Sequence, residues 1–163
     1  MSNEICFAQK DWMFSCCIGG LLYRRNKLLL QYSTIDEYYD IPGCLVSFGE
    51  YTQATLARRL MEQSGGAVNV GRLAAVVEQF SEKQTPCHQI NLYYLAELKD
   101  PEALPEHPFA VLNELGEERR NLEFRWVDID ALQKIELYPT CLRPYLKELP
   151  EHILHLQENR LED

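Results

Sequence analysis

The residues richest in chemistry lie between positions 42 and 66, PGCLVSFGEYTQATLARRLMEQSGG. A turn at Pro42 and Gly43 leads through a loop carrying Glu50 into a segment that reads as one helix. Thr52 is a good N-cap residue, and no Pro or Gly interrupts the run until Gly65 and Gly66. Those two glycines make a stop, because glycine takes the left-handed backbone of a helix C-terminus without a Cβ penalty. Positions 59, 62 and 63 stand at i, i+3 and i+4, so Arg59, Glu62 and Gln63 project from one face beside the loop 43–50. Leu56 and Leu60, one turn apart, form the inward stripe. A guanidinium, a carboxylate and an amide beside a glycine-bearing turn make a polar face suited to handling ions.

The stretch resembles the signature box of the Nudix hydrolases: Gly, five residues, Glu, seven residues, Arg-Glu-apolar, one residue, Glu-Glu, one residue, Gly-apolar. Aligned on that pattern, Glu50 takes the first Glu, Arg58 the Arg, Leu60 the apolar position, Glu62 the first of the paired Glu and Gly65 the closing Gly, with the spacing intact. Cys44 stands for the opening Gly, with Gly43 just before it. Arg59 replaces the Glu after the Arg, Gln63 the second paired Glu, and Gly66 the last apolar residue.

The resemblance implies an α+β fold, the Nudix-type α/β/α sandwich: a mixed, curved sheet with the box loop and helix beside it and C-terminal helices on the other face. It implies hydrolysis of the diphosphate in a small nucleoside-diphosphate-linked substrate, with Mg²⁺ or Mn²⁺ on the helix face. A hard cation needs oxygen ligands there, because it neutralises phosphate charge and polarises the attacking water. On this chain the implied metal ligands are Glu62, the amide carbonyl of Gln63, and a backbone carbonyl at Gly43 or Cys44. The implied catalytic set is Glu62, Arg58 and Glu50, with Arg58 bracing the box against a carboxylate and Glu50 fixing the loop or acting as an acid near the metal. Arg59 either pairs with Glu62 or holds a substrate phosphate in bidentate fashion, with Arg119 or Arg120 as further cations for the ligand. Since Glu62 alone remains of the family's metal-binding carboxylates, the alternative is a catalytically inactive module that binds a phosphorylated small ligand or a protein partner.

A general base to replace the missing Glu would come from the long connection at 99–120, which carries Pro101, Pro105 and Pro108, or from neighbouring strands. Glu114, Glu117, Glu118, Glu78 and Glu123 are the candidates, although a charge-rich loop is ordinarily just solvated. Tyr38 and Tyr39 either stack on a ligand or cover the core edge. The Cys44 thiol has no His placed by the motif to activate it as a nucleophile. His152 and His155 lie at i, i+3 without further ligands nearby, and read as surface residues.

The surrounding elements must hold this loop and helix. Residues 14–23 read as a buried strand and 21–32 as two strands joined by a polar turn at 24–27. After the box come strands at 71–80 and 88–98, the second with Ile90, Leu92, Tyr94, Ala96 and Leu98 on one face. A later strand turns Leu122, Phe124 and Trp126 inward and leads to a short helix from Asp128 or Asp130. Its Arg125-Trp126 pair also resembles the C-terminal third of the same family. Leu142, Tyr145, Leu146 and Leu149 stand at helical spacing. The expected organisation is an N-terminal arm at 1–12, a Nudix-like domain at 13–149 and a C-terminal helical tail at 150–163.

Length and composition set the outer limits. A chain of 163 residues with 46% apolar and 25% charged residues fits one globular domain. Its net charge of −9, from 16 basic and 25 acidic residues, lacks the basic stripe that grips long nucleic acid. A small phosphorylated ligand remains compatible, because a few local arginines reverse the field in a cleft. No apolar run approaches a membrane span and no signal-peptide pattern opens the sequence, so the expected location is cytoplasmic. The six cysteines form no CxxC pair and signal neither a zinc site nor a disulfide framework. The family resemblance also implies a possible homodimer, with the N-terminal arm as a means of forming it.

Overall fold

A computed structural model describes residues 3–82 and 84–161. In chain order these form β1 (Cys6–Gln9), β2 (Trp12–Arg24), β3 (Lys27–Ser33), β4 (Tyr39–Asp40), β5 (Gly43–Leu45), the helix α1 (Thr52–Ser64), β6 (Val68–Glu82), β7 (Pro86–Leu98), β8 (Phe109–Leu112) and β9 (Glu118–Asp128). A 3-10 helix (Ile129–Lys134), β10 (Leu137–Tyr138), a second 3-10 helix (Arg143–Tyr145) and β11 (Leu154–Arg160) complete the order.

The strands join in one mixed sheet, β10-β4-β3-β2-β7-β6-β11, with β1 and β5 added to β2, β9 to β3, and β8 to β9. The long strand β2 belongs to both halves. It runs parallel to β7 from Met13 opposite Cys87 to Leu22 opposite Ala96, and its last residues turn into an antiparallel hairpin with β3. That hairpin closes on Arg25 and Asn26, both at positive φ, the two-residue geometry that matches strand twist.

Alternation along the strands splits the apolar residues into two cores. Leu22, Tyr94 and Ala96 face α1 together with Leu56, Leu60 and Phe124. Leu21, Tyr93 and Val77 face the opposite way, against Leu132, Leu137, Leu142 and Leu146 from the C-terminal third. The inward stripe of α1 is as its spacing predicts, with Leu56 and Leu60 buried, and burial of each side chain contributes about 1.5–3 kcal/mol. Gly65 takes the left-handed C-cap conformation at φ 84, and its N–H closes on Met61.

Three expectations are corrected. Residues 154–160 of the supposed helical tail form β11, parallel to β6 from Leu154 opposite Ala75 to Arg160 opposite Ser81; residues 162 and 163 lie outside the described residues. Pairing to a buried strand edge satisfies this backbone, and Leu154 and Leu156 pack inward at the period of a strand. The supposed N-terminal arm contains β1, which pairs with β2 from Cys6 opposite Ser15 to Gln9 opposite Trp12; residues 1 and 2 lie outside the described residues. The layer opposite α1 is helical as the sandwich expects, and its helices are the two 3-10 turns. Finally, Tyr51 and not Thr52 is the N-cap: its carbonyl accepts the first helical bond, from the Thr55 N–H, it makes no side-chain cap bond, and the Thr52 hydroxyl pairs with that of Tyr94 at 2.6 Å.

Candidate active site

The site is positioned by β5, the loop after it and α1. β5 lies so close to β2 that a Cβ on Gly43 would come within 2.0 Å of the Ile18 carbonyl, so this position requires glycine. From there the chain passes through Val46, buried in the core beneath α1, and reaches Glu50. Glu50 accepts bonds from the buried Thr55 hydroxyl (2.6 Å) and from Arg58 Nη2 (2.9 Å), which tie the loop to the first two turns of the helix. Arg58 first and Thr55 second hold the Glu50 carboxyl below its ordinary range, and Glu50 in turn holds the Arg58 guanidinium above its own.

Both oxygens of Glu62 are engaged. Arg58 Nη1 donates to Oε1 at 3.3 Å and Arg59 Nη1 to Oε2 at 2.8 Å. Arg59, with 14% of its side chain exposed, also pairs through the same nitrogen with Glu114 Oε1 at 2.9 Å, on the turn between β8 and β9. Gln63 is 2% exposed; its Nε2 donates to the Gly43 carbonyl at 3.1 Å, and its Oε1 is buried without a partner. Burial raises the Cys44 thiol to about 11 despite the nearby Arg59, so it is neutral at physiological pH.

These groups line two adjoining cavities. One of about 660 Å³ lies between the loop and helix, with Glu50, Arg58, Arg59, Glu62 and Glu114 in its wall. The next, of about 620 Å³, shares Arg59 and Glu114 and adds Cys44, Gln63 and Arg119. Cys44 and Arg119 also border a third cavity of about 400 Å³ over the sheet, floored by Gln79, Gln89 and Asn91 and flanked by Asp40, Tyr138 and Arg160. A fourth, of about 760 Å³, continues past Tyr138 and Arg160 to Tyr38 and Asp36. Shared wall residues make the four neighbours along one cleft region, from α1 across β5 to the far end of the sheet.

The floor of the far end arises where apolar stripes turn polar at one level. Ala75 and Val77 on β6 are followed on the same face by Gln79, and Tyr93 on β7 is preceded by Asn91 and Gln89. Gln79 Nε2 donates to Gln89 Oε1 at 3.4 Å, and the Arg160 guanidinium stacks 3.9 Å from the Tyr138 ring centre. Sequence reasoning did not single out these residues. The signal available was amides at strand positions where the alternation calls for apolar side chains.

The structure therefore brings Glu50, Arg58, Arg59, Glu62, Gln63, Cys44, Glu114 and Arg119 to one cleft. It does not bring the remaining charged candidates there. Glu78 pairs with His88 at 2.9 Å and Glu123 with Arg125 at 2.5 Å, and neither lines the cleft. Glu117 is bonded to Asn113, and Glu118 and Arg120 are exposed on β9 outside the cleft walls. The first part of the 99–120 connection is fastened to the body: Arg24 lies over Trp126 and donates to the carbonyls of Pro101 and Leu104, and Trp126 donates to that of Pro105. Tyr39 packs against the core, as the core-edge reading expects, whereas Tyr38 borders the cleft. His152 and His155 are exposed, with His155 on β11. No helix among the described residues is long and apolar enough to cross a membrane.

The fold is that of the Nudix hydrolases. An ADP-ribose pyrophosphatase from Streptococcus suis 89-1591 aligns over 88% of this chain and 98% of its own, with a TM-score of 0.57 and 15% identity. A MutT protein from Bacillus halodurans aligns over 91% and 92%, at TM-score 0.65 and 10% identity. A UDP-X diphosphatase aligns over 86% of this chain and 66% of its own, at TM-score 0.61 and 18% identity. No protein-family model matches the sequence, and no curated protein matches it.

Proposed function

We propose that the chain is a pyrophosphohydrolase-type protein whose cleft receives a small nucleoside-diphosphate-linked molecule and exposes its phosphoanhydride to water. The observation that carries this reading is that the cavities adjoin one another through shared wall residues. Its amide and aromatic end suits a base, with carbonyl and N–H groups to pair with the ring edge and the Tyr138–Arg160 stack beside it. Its other end holds the arginines of the box, and Arg119 lies between, where a diphosphate would cross. Two of the structurally similar proteins are described as an ADP-ribose pyrophosphatase and a UDP-X diphosphatase, which supports a diphosphate joined to a nucleoside as the substrate class.

The box residues do not fit the Mg²⁺ or Mn²⁺ that the fold family implies. Each Glu62 oxygen already accepts from a guanidinium group and the Gly43 carbonyl from the Gln63 amide, so a cation would have to compete with those bonds. Of the side-chain oxygens that the resemblance assigns to the ion, Gln63 Oε1 alone accepts no bond, and it is buried, far short of the six oxygens a magnesium ion takes. Among the described residues no group of three or more His, Cys, Asp or Glu side chains is placed to hold a metal. The roles open to the chain's own residues are binding and orientation: Glu50, Thr55 and Arg58 fix the loop, Arg59 and Arg119 supply positive charge, and Glu114 is a largely exposed carboxylate at the reacting end.

The second reading is that the same ligand is bound without turnover. A panel of ADP-ribose, UDP-sugars and nucleoside triphosphates, incubated with Mg²⁺, with Mn²⁺ and with EDTA, separates the two. Phosphoanhydride cleavage that is lost in Glu62→Gln supports the hydrolase. Binding by calorimetry with no product in any condition establishes the second reading, and neither binding nor product overturns both.

A further inference from the structure

We propose that Arg59 is a phosphate seat that works without a divalent ion, and that the Glu114 carboxylate occupies this seat until a ligand displaces it. The inference rests on the proposed diphosphate ligand but concerns its phosphate end alone.

Arg59 is largely enclosed, and its two carboxylate partners are unlike. Glu62 is on the same helix, one turn on, and is gripped by Arg58 as well. Glu114 comes from another element, its side chain is 68% exposed, and it reaches Arg59 from the turn at Asn113–Glu117. That turn is fixed by its own bonds, since Asn113 Oδ1 accepts from the N–H groups of Leu115 and Glu117. The Glu114 side chain can therefore swing away by rotamer change while the backbone stays. A largely exposed carboxylate returns to water at little cost. A phosphate group offers more oxygens and more charge than the carboxylate it replaces, in a geometry that the planar guanidinium meets with two parallel bonds.

The guanidinium has room for that exchange. Glu62 and Glu114 both meet Nη1; the Cys44 thiol also lies against the guanidinium, and its remaining N–H groups are engaged by neither carboxylate. The Gln63 side chain borders the same cavity as Arg59, Glu114 and Arg119. Glu4 also lines both cavities, so the seat takes a compact anion between acidic walls and relies on Arg59 and Arg119 to outweigh them.

Inorganic pyrophosphate is the probe, titrated calorimetrically into the full chain in EDTA and again in Mg²⁺. The expected result is binding in EDTA that Glu114→Gln tightens several-fold and that Arg59→Gln weakens by about tenfold or more. Pyrophosphate that binds only when Mg²⁺ is present, or a Glu114→Gln variant with unchanged affinity, overturns the proposal. If Arg59→Gln does not fold, the Glu114→Gln comparison decides alone, because that side chain is exposed. Pyrophosphate carries no base and need not be turned over, so failure of the nucleotide panel leaves this test standing. Turnover of a nucleotide without metal-free pyrophosphate binding would sink the seat and leave the hydrolase.

Discussion

The side-chain amide of Gln63 donates to the carbonyl oxygen of Gly43 across 3.1 Å, joining the last turn of α1 to β5. A glutamate at position 63 would make no such bond. Its carboxylate would face the carbonyl and repel it unless a cation lay between, so Gln63 replaces a metal-dependent link with a direct one.

Reversing the two substitutions should therefore make a metal site. The Arg59→Glu, Gln63→Glu double variant is expected to bind Mn²⁺ by calorimetry and by its electron paramagnetic resonance spectrum, while the natural chain shows no box-associated binding under the same conditions. The ion should also raise the thermal midpoint of the variant, since a ligand at a hundredfold excess over its dissociation constant adds about 2.7 kcal/mol to stability. Equal Mn²⁺ binding by both proteins would show that Glu62 leaves its arginines readily.

Glu50 should titrate below the usual glutamate range. Its native carboxyl is held down by Arg58 and then by Thr55, so its contribution to stability is complete above the unfolded-state value and is lost as pH falls through the lowered native one. Carbon-detected NMR of the side-chain carboxyl would follow this directly. Thr55→Val, which keeps the volume but removes a buried hydroxyl, should move the Glu50 midpoint back up and cost about 1 kcal/mol in urea denaturation.

The two ends of the cleft should be separable. Asn91→Ala or Arg160→Ala is expected to weaken ADP-ribose or a UDP-sugar by about tenfold while leaving pyrophosphate binding unchanged, because neither residue borders the box cavities. Equal losses for both ligands would mean that these side chains hold the fold rather than the base.

Cys44 should resist alkylation. With its thiol raised to about 11 by burial, little thiolate exists at pH 8, and iodoacetamide followed by mass spectrometry should modify the exposed Cys6 well before Cys44. Rapid labelling of Cys44 would place its sulfur nearer solvent and nearer the Arg59 charge than described here.

What the sequence disclosed and what it hid divide by range. α1 was legible because everything that makes it is local: Leu56 and Leu60 one turn apart and a glycine stop. β7 was legible for the same reason, its alternation placing Leu92, Tyr94, Ala96 and Leu98 against one core. β11 was not, because Leu154 and Leu156 gain their burial from a parallel partner some eighty positions earlier, and the segment's own spacing suits a helix as well. The ion pairs Arg58–Glu62 and Arg59–Glu62 follow from helical geometry, whereas Arg59–Glu114 depends on where the β8–β9 turn lands. The far floor of the cleft is assembled from β6 and β7 and flanked by Arg160 of β11, so no short stretch carries its signature.

The strand β2, shared by both halves of the sheet, sets how this molecule breathes. With Leu22 in one core and Leu21 in the other, neither half can peel open without disturbing the backbone of its neighbour. The most slowly exchanging amides should line this strand, and occupancy of the cleft should be felt as added protection on the face turned away from it. A ligand held at the edge would in that way be reported from the middle.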